Sequence, residues 1–307
     1  MKKLYISCYG ENLHIVDGSP AGKNLSFKAK GYGRMTLPGL FTETARKPEL
    51  VKKFGKEFKQ FLKSKKLRSK NASIALGQRG IIVRSIKVPK MTPGDLDKML
   101  KMEAGDYLTV SIEDYAFQYK LLAETEENGQ KYYDVLLVAV LHSQIEQLVE
   151  ITESAGLKLD YIDVLPNILF RLFKQTGYKN AMLVQSGTDG TSMAIFKDHN
   201  LFIYTDIPFK YDNQGGNDYS TLFNELRGYL DFFASRNFGN SIDNILILGE
   251  LAGVDGLAEK LKDYFDVPVA CGFKPFSSAK IKGRGKSIRD SSYLFAENFG
   301  LMLRDRK

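Results

Sequence analysis

Two stretches of this 307-residue chain are written in the same order. Leu4 to Cys8 is an apolar strand that reaches Gly10, and strands at Leu13 to Val16 and Leu25 to Gly31 follow. Ala181 to Val184 repeats the pattern: it reaches Gly187, and Ser192 to Phe196 and Leu201 to Asp206 follow. Each set then leads to an amphipathic helix, from about Pro48 to Lys63 and from about Tyr219 to Arg236. A unit repeated in this way buries its apolar sheet face against other elements, so two copies constrain the chain to a duplicated α/β architecture.

Between the copies lies a segment of different grain. Ile81 to Val88 reads as a strand, and Thr92 caps a helix that has Pro93 at its first position and runs to about Tyr107. Strands at Tyr115 to Leu122 and Tyr132 to Leu141 flank an acidic turn ending in Asn128-Gly129. A helix from Ser143 to Ala155 stops at Gly156, and Asp160 to Val164 leads into a helix from Leu165 to Thr176. Late in the chain, Ile245 to Leu248 is a buried strand that turns at Gly249-Glu250. A helix at 256–265, a short strand at Val267-Pro268-Val269 and a last helix from Ser292 to Leu303 complete the order.

Several functional classes are disfavoured by composition. No run of about 18 apolar residues is present, and the N-terminus turns polar too soon for a signal peptide, so a cytoplasmic location is expected. Cys8 and Cys271 have no metal or redox spacing and read as buried small hydrophobes. His14, His142 and His199 are scattered and read as surface or strand-end residues. The net charge of +8 is concentrated in Lys52 to Lys70 and Lys280 to Arg289. The first cluster fills the gaps of an apolar helical stripe and reads as a solvated helix face; the second, broken by glycines, reads as a mobile basic loop. Neither specifies nucleic acid, and none is expected as a partner.

The turn Gln185-Ser186-Gly187-Thr188-Asp189-Gly190 has the make-up of a phosphate loop without its carboxylate. Backbone N–H groups in such a turn cradle phosphate, but Mg²⁺ is a hard cation that takes carboxylate and water oxygens. Asp189 and Asp218 are the displaced acids available. Asp189 reads either as the Asp-Gly turn residue, the favoured reading, or as a metal ligand. Lys210 reads as a solvated lysine within reach of a phosphate.

The ordered series resembles the actin-like superfamily and, more closely, the PilM family of type IV pilus assembly proteins. Arg84-Ser85-Ile86-Lys87-Val88-Pro89, followed by Glu103-Ala104-Gly105-Asp106-Tyr107-Leu108, is similar to the opening of that family's inserted subdomain. Leu246 to Leu251 resembles the adenosine turn, and Phe299-Gly300-Leu301-Met302-Leu303 the C-terminal helix. The resemblance implies an actin-like (ribonuclease H-like, duplicated) fold with an inserted strand-helix-strand-strand subdomain, SHS2-like. It places the first actin-like subdomain at 1–78 plus 157–180, the insertion at 79–156 and the second actin-like subdomain at 181–307, with the usual helical roof reduced to a loop at 208–219.

Carried over by the resemblance, the two metal-binding acids fall on Cys8 and Gln185, and the adenosine turn on Gly249 with Glu250 crowding it. Gly10, Gly187, Thr188, Gly190 and Gly249 would line the resulting degenerate nucleotide cleft. No metal, catalytic residue or cofactor is expected; ATP turnover is disfavoured, although ATP binding is left open. The implied activity is that of a cytoplasmic scaffold of a type IV pilus, or related type II secretion, assembly machine, peripheral to the inner membrane. It would bind the short N-terminal cytoplasmic tail of a bitopic PilN-like partner and link it to pilus assembly ATPases. Oligomeric state is left open, and the competing function is an active actin-like ATPase.

The tail would lie between the insertion and the first subdomain, with Ile82, Arg84, Ile86, Met99, Met102 and Tyr107 as candidates for the wall. Core packing of the strand and helix that carry them is the competing role.

Overall fold

The computed structural model describes residues 2–306 except 23–24, 43–46, 78–80, 213–215, 238–239, 273–279, 283–287 and 289–290. The first copy of the repeat forms β1 (Lys3–Tyr9), β2 (Asn12–Ser19) and β3 (Ser26–Thr36), then α1 (Pro48–Ser64) and β4 (Asn71–Gly77). The insertion supplies β5 (Ile82–Pro89), α2 (Pro93–Leu108), β6 (Tyr115–Glu127), β7 (Gln130–Leu141) and α3 (His142–Ser154). The chain returns through β8 (Lys158–Val164) and α4 (Leu165–Phe173). The second copy is β9 (Ala181–Gly187), β10 (Gly190–Lys197), β11 (Asn200–Ile207), α5 (Ser220–Arg236), β12 (Asn244–Gly249), α6 (Leu257–Phe265) and β13 (Val269–Cys271). Finally β14 (Lys280–Lys282) and α7 (Ala296–Arg304) close the order.

The two halves share one strand order over five strands, and the first sheet carries β14 as a sixth. One sheet runs β14-β3-β2-β1-β4-β8 and the other β11-β10-β9-β12-β13. In both, the first strand pairs antiparallel with the second and parallel with the fourth, as in Ile6↔Ile15 with Ile6↔Ile74, and Leu183↔Ala194 with Leu183↔Leu246. The strands β1, β9 and β12 are apolar on both faces because helices or the other half of the molecule cover both. Between the halves, α4 and α7 cross closely: a Cβ on Gly300 would strike Ile168. Phe173 of α4 stacks on Phe196 of β10, 4.5 Å between ring centres, which ties the central helices to the second sheet.

The third sheet, β5-β7-β6, is the insertion. Its strands alternate. Val88, Val135, Leu137 and Ala139 pack under Leu96, Leu100, Ala104 and Leu108 of α2, while Val83, Leu136 and Val140 join the core of the first half. Thr92 caps α2 as expected, accepting a hydrogen bond from the Asp95 N–H. On the outer side of the first sheet, α1 packs on α3, with Gly55 against Ser154.

Three expectations need correction. The segment 280–282 is a strand, parallel to β3, because ladder hydrogen bonds need only backbone groups and no side-chain pattern; the rest of the basic loop, at 283–287 and 289, lies outside the described residues. With α7 packed on β1, β2 and α4, the end of the chain belongs to the first half, so 181–307 is too long a span for the second. The strand expected at Val267 begins instead at Val269, after Pro268, which has no N–H for the ladder and contributes its carbonyl to Ile245 N–H at 2.9 Å.

Candidate functional site

The two glycine turns face each other across the cleft between the halves. Gly10 adopts φ +58°, and a Cβ there would run into the Asp189 carboxylate. Asp189 Oδ2 accepts from the Glu11 N–H (3.1 Å) and from Asn12 Nδ2 (2.7 Å), and Asn12 Nδ2 also donates to Thr188 Oγ1 (3.0 Å). Thus Asp189 does more than occupy the Asp-Gly turn: its carboxylate latches the second turn to the first.

Other bonds cross the same cleft. Ser192 donates to Asp206 Oδ1 (2.7 Å), so the Tyr9 phenol, 3.0 Å from Ser192 Oγ, donates to that hydroxyl. Arg34 on β3 pairs with Glu250 at 2.6 Å, so the side chain expected to crowd the adenosine turn closes it instead. Gly249 holds φ +74° and ψ −153°, and a Cβ would collide with the Ser186 carbonyl. Gly249→Ala should therefore cost about 2–4 kcal/mol, combining strain with a clash, as read from the denaturation midpoint; a midpoint within experimental error of the parent would refute the collision. The Tyr211 N–H donates to the Gly187 carbonyl at 3.4 Å. Gly187, Thr188 and Gly190 are thus engaged with the chain's own groups.

Beneath the turns, Cys8 is fully buried and burial pushes its thiol up. Gln185 is 6% exposed, and its Oε1 has no partner. The carboxylate nearest these positions was not singled out from sequence: Glu297, on α7, is buried, receives a hydrogen bond from Ser7 Oγ, and is pushed up to about 8 by burial. It is therefore largely protonated at neutral pH. An acid in the apolar run Tyr293 to Leu303 was the available sign. His14, read as a surface residue, is held in the cleft by the Leu294 carbonyl (2.7 Å); burial, with Arg34 nearby, pushes it down to about 4. His142 and His199 are exposed as read, and Cys271 is only half-buried.

A cavity of about 20 Å³ remains among Ser7, Tyr9, His14, Gln185, Thr188 and Glu297, the volume of a water or so. The cavity of about 250 Å³ beside it is lined by Tyr9, Gly10, Thr191 and the carboxylates of Asp189 and Asp206. Among the described residues no group of three or more His, Cys, Asp or Glu is placed to hold a metal ion. Cys8 and Gln185, at the two positions where the resemblance puts acids, supply no carboxylate for a nucleotide's Mg²⁺.

A second feature is open. A groove of about 690 Å³ separates the back of the insertion from the first half. Its insertion wall is Ala116, Gln118 and Lys120 of β6 with Leu136, Val138 and Val140 of β7; its other wall is β8 and α4. Both β6 and β8 are edge strands of their sheets, with one row of backbone groups unpaired. Asp163 anchors the α4 wall: it accepts from Arg171, Arg304 (2.9 Å), Asn167 (3.1 Å) and its neighbour's N–H (2.9 Å). Lys120 lies 4.5 Å over the Phe170 ring, and burial, with Lys174 and Arg171 close by, pushes it down.

None of the six residues offered for the wall from sequence lines this groove. Ile82, Ile86, Met99 and Tyr107 are half-buried in the α2 core on the opposite face of the small sheet. Arg84 is exposed on that face, and Met102 projects from α2, 85% exposed. Strand side chains alternate, so the groove takes Val83's side of the sheet and these residues the other. The corresponding signal was the parity of β7, where Leu136, Val138 and Val140 alternate with the α2-facing set.

Two sheets of one topology, two crossed helices between them and facing hairpin turns define an actin-like fold. Chains of similar fold include a protein of unknown function with actin-like ATPase fold from Bacteroides thetaiotaomicron (TM-score 0.51, 12% identity, 95% of each chain). The ethanolamine utilization protein EutJ from Carboxydothermus hydrogenoformans is comparable (TM-score 0.51, 9% identity, 99% of this chain and 89% of that one). A chain of a solved PilM-PilN type IV pilus biogenesis complex matches at TM-score 0.79 and 20% identity over 99% of this chain and 98% of that one. The profile of the family described as type IV pilus assembly protein PilM matches residues 43–217, more than half of the 307. The chain belongs to that family.

Proposed function

We propose that this protein is a scaffold of the type IV pilus assembly machine that holds the cytoplasmic tail of a PilN-like inner-membrane partner and does not turn over ATP. One observation carries the reading: the cleft between the facing turns is bridged by the chain's own hydrogen bonds, while an apolar groove lies open between two unpaired strand edges. An extended tail would add a strand to β8 or β6 and set alternate side chains against Val138, Ile162 and Phe170. The solved PilM-PilN complex supports a PilN-like partner. Among the described residues no helix is long and apolar enough to cross a membrane; a PilN-like partner would supply one link to it.

The test is titration of the full chain with a synthetic tail taken from the partner. Val138→Glu should weaken binding at least about tenfold by placing a charge on the apolar wall, while Met102→Ala on α2 should leave it unchanged. Mg²⁺-dependent ATP hydrolysis that is lost in a Gln185 variant would overturn the scaffold reading. Loss of tail binding in Met102→Ala but not in Val138→Glu would move the site to α2.

A further inference from the structure

The charge of this protein is not spread over its surface. From Lys47 to Lys70 the sequence has ten basic residues against Glu49 and Glu57. That balance of +8 equals the formal net charge of the whole chain, +8. In the structure all ten are exposed. Among them the described ion pairs include only Lys53 with Glu57, at 3.9 Å.

The helix orders this charge. Val51, Phe54, Gly55, Phe58 and Leu62 are buried on the inner side of α1. Lys52, Lys56, Lys59 and Lys63 follow at intervals of four, three and four residues, which places them in one row along the outer side. At about 1.5 Å per residue, the 17-residue helix carries the row over roughly 25 Å. Lys65, Lys66, Arg68 and Lys70 extend it through the turn into β4. The adjoining outer helix α3 carries exposed Glu146, Glu150 and Glu153, so the positive face of α1 does not extend onto α3.

We propose that the outer face of α1 and the turn at 65–70 form a docking surface for an anionic lipid bilayer. Lysine is a compact, hydrated charge suited to a diffuse anionic surface, and only Arg68 of the ten offers the fork that favours phosphate and base recognition in nucleic acid. A convex helix presenting one row of charge matches a plane. Phe61, half-buried under Lys65, is not presented for base stacking. The choice of a membrane rests in part on the tail-binding reading, because a bitopic partner would hold this protein within reach of the inner leaflet; the charged face itself does not depend on it. Polybasic surfaces gain about 1 kcal/mol per Lys or Arg near an anionic leaflet, fading within a Debye length. The scaffold would then sit on the membrane by two contacts, one of them tuned by lipid charge and salt.

The experiment is co-sedimentation of the full chain, without any partner, with phosphatidylcholine vesicles containing or lacking phosphatidylglycerol. The expected result is binding to the anionic vesicles alone, released by high salt. The combined variant Lys52→Glu, Lys56→Glu, Lys59→Glu, Lys63→Glu should bind at least about 100-fold more weakly. It should bind the tail peptide as the parent does, which separates failure of this surface from failure of the groove. If four acids perturb the helix by circular dichroism, the four Lys→Gln changes serve instead, with a smaller loss in the same direction. Equal binding to both vesicle types, unchanged binding of the variants, or tighter retention on duplex DNA than on anionic vesicles at the same salt would each overturn the proposal.

Discussion

Asp163→Asn should lower the unfolding free energy by about 3 kcal/mol, the low end of what removal of one member of a buried ion cluster costs. The carboxylate is 2% exposed and is shared by Arg171 and Arg304. It also accepts from Val164 N–H and Asn167 at the start of α4, where a negative charge is favoured by the helix dipole. Arg171 and Arg304 are 22% and 41% exposed, so both regain some hydration when the carboxylate is lost, which keeps the cost from the upper end. Burial alone would raise the Asp163 pKa; the Arg171 charge, the Arg304 hydrogen bond and the Val164 N–H outweigh it and hold the carboxyl below the usual range. A depressed acid contributes stability that is present above its unfolded pKa and is lost as pH falls through the folded value. The variant should therefore differ most from the parent at neutral pH and converge with it in acid. Because Arg171 and Arg304 line the groove, tail binding should weaken as well. Urea denaturation across pH reads the first effect and peptide titration the second; a variant of parental stability at neutral pH would show that Asp163 is hydrated in solution.

Glu297→Gln should have the opposite sign. Burial lifts this carboxyl from 4.5 to about 8, so the native state favours the protonated form. Stability tied to the group is fully present below pH 4.5 and is lost as pH rises to about 8. At about 1.4 kcal/mol for each pH unit, the parent loses on the order of 4 kcal/mol over that window and the amide loses none. Gln keeps an acceptor for Ser7, and its NH₂ faces the cavity that also holds the unpartnered Gln185 Oε1. The variant should match the parent near pH 5 and exceed it in melting temperature at pH 9. Parallel melting curves at both pH values would mean that Glu297 is ionised and solvated in the native protein.

Much of the fold was legible because it rests on local pattern. The order of strands and helices follows from alternation and helical spacing, from Thr92 and Pro93 at the start of α2, and from Gly156 after α3. The duplicated sheets were readable from two apolar strands reaching glycine turns. What escaped was pairing at a distance. The strand at 280–282 forms on β3, which lies far from it in sequence. The place of α7 beside β1 depends on Asn298 bonding the Tyr5 and His14 carbonyls. The residues offered from sequence for a tail-binding wall lie on the α2 side of the small sheet, whereas the groove opens on the other side, since one step in a strand exchanges its two sides.

The functional residues divide in the same way. Cys8 and Gln185 could be recognised as poor metal ligands from residue type, because a thiol and an amide do not replace carboxylates around a hard cation. The absence of a matching acid is a property of the residues at two positions. What fills the cleft instead, Asp189 on Asn12, Tyr9 on Ser192 and Arg34 on Glu250, joins partners from the two separate halves. Local spacing and residue type act within a few residues along the chain, so element order and the absence of acids at Cys8 and Gln185 were open to reading. Cross-cleft bonds, the protonated Glu297 and the open edges of β6 and β8 exist only after the two halves pack, because burial and pairing are properties of the assembled fold.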